Sequence, residues 1–199
     1  MKRIISLILV ALVMVSACTG ASVLADTSDT ATYGGGNFSG CTYGTCPLTL
    51  TSGGSTSVNV IPTPGGRCTV QSDTVSVLTD NTTGYNLTAT TSTTNNNMAG
   101  SVDSISASSG TVASPATLAM NTWGYRVDNL SGFGAGPTSS QNSGSVPSVT
   151  FAGVPASNQT PTAVASSAAA ANPAVNTTVW YGLCADSSLR ADTYTAVTN

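Results

Sequence analysis

Short runs of alternating apolar and polar residues, split by clusters of Gly, Pro and Asn, fill this chain from residue 46 onward. "CPLTLT" alternates Leu48 with Leu50, and "TSVNVIP" places Val58 and Val60 on one face ahead of a "TPGG" turn. "RCTVQSDTVSVLT" carries Val70, then Val75 and Val77 in the opposite phase, which predicts a bulge near Ser72–Asp73. "GYNLTAT" puts Tyr85, Leu87 and Ala89 on one face; "SVDSISASSGTV", "TWGYRVDN", "PSVTFAGVP", "TTVWYGLCAD" and "ADTYTAVTN" read as further strands. Segments of four to eight residues, rich in Thr, Val and Tyr at such spacing, predict an antiparallel sandwich or barrel. Thr suits this pattern because its branched Cβ fits the pleat while its hydroxyl faces water.

Two stretches between the runs carry more information than their neighbours. In "LTDNTTGYNLT" (78–88), Leu78 closes one strand and Tyr85 and Leu87 open the next. Asp80 to Gly84 supply Asx-type side chains and a residue free to take positive φ, so a hairpin corner is predicted, with Tyr85 packed inward. "TPTAVASSAAAANPAV" (160–175) has helix-forming composition between Pro161 and Pro173, and reads as a surface loop with a helical turn or two as the alternative.

The N-terminus changes the picture of where the chain acts. Lys2 and Arg3 precede an apolar run from Ile4 to Val15, followed by small residues, the layout of a secretory signal peptide. That run is shorter than the ~20 residues of a spanning helix, and no later segment qualifies. "VLA" before Asp26 offers cleavage after Ala25, giving a leader of residues 1–25; "VSAC" offers a lipobox with Cys18 as the lipidated residue. Residues 26–45, Gly- and Thr-rich, then form an extended segment ahead of one β-domain over 46–199. Export predicts oxidised cysteines. Cys41, Cys46, Cys68 and Cys184 remain past the leader, enough for one or two disulfides with three pairings open.

Charge narrows the chemistry. Past the leader there are three arginines (Arg67, Arg126, Arg190) against eight aspartates, with no Lys, His or Glu, a net of about −5. A basic footprint for nucleic acid is absent. Without His there is no Ser-His-Asp triad, Cys-His pair or imidazole ligand, and without Lys no Ser-Lys dyad or Schiff base. No paired Asp-Thr/Ser-Gly loops and no D-x-[DN]-x-[DN]-G loop occur, although Asp26, Asp29, Asp128, Asp186 and Asp192 are conceivable calcium ligands. Non-enzymatic function, with no catalytic residue, metal or cofactor, is the expectation. Six N-x-S/T sequons (Asn37, Asn81, Asn86, Asn129, Asn158, Asn176) are what so much Asn, Ser and Thr produces by chance.

Trp123, Tyr125 and Trp180 are the candidates for a ligand platform that would stack on sugar rings, as in a carbohydrate-binding module. The competing reading makes them core anchors of a domain with few large side chains.

"TVQSDTVSVLTDNTTGYNLTAT", "NTWGYRVDN", "VTFAGVP" and "TTVWYGLCADSSLRADTYTAVTN" together resemble secreted bacterial surface domains of the Ig-like or WxL-like β-sandwich kind, over roughly residues 57–199. The resemblance implies an Ig-like β-sandwich with long Ser/Thr/Gly-rich loops. It also implies a secreted or cell-surface bacterial protein, but says hardly anything of activity; a structural or adhesion role, with cell-wall glycan as a candidate partner, is the expectation. Asp80 stands where that pattern often carries Asn, and "RADTYTAVTN" is shorter than the closing strand such domains carry. A short closing strand predicts an unpaired edge, open to self-association by strand exchange as in a pilin-like assembly subunit.

Overall fold

The computed structural model describes residues 47–140 and 149–199, and the backbone of 37–38 and 41–42. The described chain is all-β. Its strands are β1 (Asn37–Phe38), β2 (Cys41–Thr42), β3 (Leu48–Ser52), β4 (Arg67–Thr79), β5 (Tyr85–Ala89), β6 (Met98–Ala99), β7 (Ser104–Ala107), β8 (Thr122–Val127), β9 (Thr162–Ser167) and β10 (Ala171–Ala185). A curled six-stranded sheet runs in the order β3-β4-β10-β8-β7-β6, while β5 pairs with β9 and β1 with β2. All ladders are antiparallel except β7–β8. The predicted lipidation site Cys18, the leader and Asp26 and Asp29 lie outside the described residues.

The spine is the β4–β10 ladder, in register from Val175↔Val77 to Ala185↔Arg67. Side chains alternate across it, and both faces are covered near its disulfide end. On one face, Val179 and Leu183 of β10 stand with Val127 and Trp123 of β8, and Tyr125 lies opposite Tyr181. Leu87 and Ala89 of β5 and Val164 of β9 join this cluster, so residues from both sheets meet in one core. On the opposite face Val70, Trp180 and Phe151 form a second cluster, with Leu118 and Val149 packed against it.

Two glycines make the second cluster possible. Gly124 and Gly182 are ladder partners, and the Phe151 side chain lies over them, its Cβ near Gly124 and its ring over Gly182. A Cβ at Gly182 would stand 2.5 Å from that ring, and one at Gly124 would stand 2.7 Å from the Ala152 carbonyl oxygen. Two buried faces also account for the phase change in β4. Val70 points into one cluster and Val75 into the other, without any bulge: the predicted irregularity near Ser72–Asp73 is not formed, and the ladder's register shift falls between Ala171 and Val175.

Several predicted elements are corrected. "TSVNVIP" keeps its alternation, with Val58 and Val60 turned to the core, but forms no strand. "VTFAGVP" contributes only bridges, Ala116↔Phe151 and Tyr125↔Ala152, at the edge of β8. The Ala-rich 160–175 stretch is neither loop nor helix; it builds β9 and the start of β10, with a short turn between them. Val164 is drawn into the core and Ala163 and Ala165 pair with β5, so tertiary contacts override the local preference. The closing segment forms no long strand either, yet Thr195 bridges Ala99 and Thr198 bridges Thr91, so it covers the β6 edge.

The 80–84 turn joins two sheets and is no hairpin, because β4 and β5 do not pair. Its local chemistry is as predicted. The Asn81 side chain accepts from the Thr83 N–H (3.1 Å) and hydroxyl (2.8 Å) and donates to the Gly84 carbonyl (3.1 Å). Gly84 sits at φ +84°, and a Cβ there would run into the Ser167 carbonyl of the neighbouring β9–β10 turn. Tyr85 is half-buried beside the core cluster's Leu87. Gly84→Val is expected to cost about 2–4 kcal/mol, from left-handed strain plus displacement of a backbone that cannot yield. Thermal melts of the two proteins read this directly, and equal midpoints would contradict it.

Candidate functional surface

The aromatic residues proposed as a platform are interior. Trp123, Tyr125 and Trp180 are 4%, 1% and 7% exposed, so none presents an open ring face for stacking on a sugar. Trp123 donates its indole N–H to the Asn96 carbonyl (3.0 Å). The Tyr125 hydroxyl bonds Thr162 Oγ1 (2.6 Å) and the Ala163 carbonyl (3.1 Å), and its ring meets Phe133 edge-on at 5.9 Å. Burial pushes the Tyr125 phenol up to about 12, against the Thr162 hydrogen bond, which lowers it. The Trp180 indole N–H has no hydrogen-bond partner among the described residues.

Cys68 and Cys184 are ladder partners joined in a disulfide, Cα to Cα 4.0 Å, across a sequence separation of 116 residues. Of the three pairings the sequence leaves open, this fits the one that would join Cys41 to Cys46, whose side chains lie outside the described residues. A pocket of about 170 Å³ adjoins the staple, lined by Asn59, Val60, Ile61, Arg67, Cys68 and Thr69. That volume falls short of the ~300–1,000 Å³ of small-molecule sites.

The aspartates are dispersed. No group of three or more potential metal ligands occurs among the described residues. Asp128 pairs with Arg126, whereas Asp186 and Asp192 are engaged by local donors. Asp186 accepts from the Ser188 hydroxyl and N–H and from the Asn121 amide, and Asp192 accepts from the Ser101 hydroxyl and N–H and from the Thr193 N–H. These donors hold both carboxyls below the ordinary value of 3.8. A depressed folded-state pKa adds stability that is present above the unfolded value and lost as pH falls through the folded one. The melting temperature is therefore expected to drop as pH falls below about 4, with a shallower acid limb in an Asp186→Asn/Asp192→Asn double variant. An identical acid limb in the two proteins would count against this assignment. Tyr125 works at the other end: its raised pKa supports the fold below 10 and ceases to do so as pH rises towards 12.

Beyond the reach of β8, which ends at Val127↔Val179, the sheet continues as the three strands β3, β4 and β10 alone. Its residues align in rows: Leu50–Val77–Val175, Thr51–Ser76–Asn176 and Ser52–Val75–Thr177. Alternation places Thr49, Thr51, Thr74, Ser76, Asn176 and Thr178 on one face, where no side chain of this set makes a hydrogen bond among the described residues. The opposite face carries Leu48 and Val175, 48% and 41% exposed. The strand patterns "LTLTS" and "VNTT" encode this surface, but that both flank β4 does not show in the sequence. No helix among the described residues is long and apolar enough to cross a membrane. No family model matches the chain, and neither the curated proteins nor the solved structures contain a match.

Proposed function

We propose that the chain is an exported, non-enzymatic protein of the bacterial cell surface or envelope, with a structural or adhesion role. In this reading its two sheets form an Ig-like β-sandwich of the kind the sequence resembles. The observation that carries it is the spine itself: a long two-stranded ladder stapled by the Cys68–Cys184 disulfide, a bond that persists in oxidising compartments. The leader-like N-terminus and the weakly charged Thr/Ser/Asn surface support the same compartment. Leu87, Ala89 and Val164 packing against the six-stranded sheet supports the sandwich.

Intact mass of the natively produced protein tests the reading. Loss of residues 1–25, or a chain beginning at a lipid-modified Cys18, together with an oxidised Cys68–Cys184 pair, is the expected result. An uncleaved chain with reduced thiols in the cytoplasmic fraction would overturn it.

A further inference from the structure

The terminal strands of the six-stranded sheet are β3 and β6, and the two edges are treated differently. β6 is two residues long, and Ala99 exchanges both backbone hydrogen bonds with Thr195 (2.8 and 2.9 Å). The far end of β10, which also runs past its neighbour β8, carries Pro173 and the Ala171/Val175 register shift. Covering, shortening, proline and irregularity are the devices by which proteins keep an exposed edge from pairing.

Among the described residues, β3 shows none of them. "LTLTS" contains no charge and no proline, alternates regularly, and pairs with β4 residue for residue from Leu48↔Thr79 to Ser52↔Val75. Its other edge has no ladder partner among the described residues. Leu48 remains 48% exposed beside it.

We propose that the β3 edge pairs with the β3 edge of a second copy of this chain, antiparallel about a two-fold axis at Leu50. The proposal deepens the structural role above and rests on it only for its biological setting. An axis perpendicular to the sheet keeps each face on its own side, so the alternation of one copy matches that of the other. Leu50 then lies opposite Leu50 of the second copy, Thr49 opposite Thr51, and Leu48 opposite Ser52. This register pairs all five residues of each strand and covers Leu48. The result is one continuous sheet through both molecules, with the Thr49/Thr51 rows extended on one side. Five residues bury less than the ~1,200 Å² of a stable interface, so the dimer forms only at high concentration, such as a protein reaches when crowded on a surface.

Sedimentation equilibrium of the purified exported protein tests this. The weight-average mass is expected to climb from one chain towards two between about 10 µM and 1 mM. Leu48→Lys, at an exposed site, is expected to hold the mass at one chain with an unchanged melting temperature, since a charge is brought into the pair. Leu50→Cys, on the axis, is expected to cross-link as a dimer on mild oxidation, while Leu48→Cys is not; the unsubstituted protein is the reference for any cross-linking by its own cysteines. A constant single-chain mass to about 1 mM overturns the proposal. So does a dimer untouched by Leu48→Lys, or equal cross-linking at positions 48 and 50. None of these readings depends on export, which the mass measurement above decides separately.

Discussion

Replacing both Cys68 and Cys184 with alanine is expected to lower the unfolding free energy by about 5 kcal/mol, a large share of the ~5–15 kcal/mol typical of a folded domain. The size comes from the separation of 116 residues, which makes the cross-linked loop most of the described chain. Closing so long a loop removes much of the entropy of the unfolded ensemble, and in the chain-entropy account the effect grows with the logarithm of loop length. The substitution also trims two side chains that are buried beside Val70 in the second face of the sheet. Denaturation of oxidised wild type and the double variant measures the difference, expected as a fall in midpoint of about 10–20 °C. A loss below about 1 kcal/mol would mean that the β4–β10 ladder already restrains the unfolded chain without the bond. Because Cys184 is fully buried, reductant alone is expected to act slowly until the ladder opens.

β3, β4, β5, β7, β8 and the later part of β10 were legible because Thr, Val and Tyr alternate with polar residues and because Gly, Pro and Asn interrupt them, whereas β9, in an Ala-rich stretch, was not. Gly84 was legible too, since an Asn-Thr-Thr-Gly sequence calls for a left-handed residue. Partnership was not. Nothing local tells β5 to leave β4 and pair with β9, as long-range register is set by the core that the two sheets share. The phase change in β4 misled for a specific reason: alternation reports which side of a strand is apolar only when one face is wet. Here Phe151, from a segment with just two bridges, covers the second face through the gap left by Gly124 and Gly182. The paired "WGY" and "WYG" were the available signal, because a glycine beside aromatic strand residues marks close approach of something else. Arg126 gave no signal at all, as a lone arginine in a strand reads as a solvated charge.

Arg126 is instead 1% exposed, and its removal is the second large effect. Its Nε donates to Asp128 (3.0 Å), Nη1 to the Thr150 carbonyl (3.1 Å), and Nη2 to the carbonyls of Phe133 and Gly134 (both 3.0 Å). The guanidinium also stands 5.6 Å from the centre of the Phe133 ring. These contacts tie β8 to the loop after it, where Asn129, Ser131 and Gly134 hold positive φ, and to the segment that delivers Phe151. Arg126→Met is expected to cost about 3–5 kcal/mol, because it takes the donor from the buried Phe133 carbonyl, the half-buried Thr150 carbonyl and the Asp128 carboxylate at once, while the Gly134 carbonyl keeps the Asn129 N–H. Arg126→Lys should recover little of this, since one ammonium cannot reach the four acceptors that a planar fork addresses in different directions. Asp128→Asn should cost less, about 1–2 kcal/mol: its side chain is 29% exposed, and the carbonyl cage remains around the cation. The order Met ≈ Lys > Asn in chemical denaturation identifies the guanidinium as the clip that holds the second face closed. If Asp128→Asn were as damaging as Arg126→Met, the ion pair alone would be holding this corner, and the carbonyl contacts would contribute little.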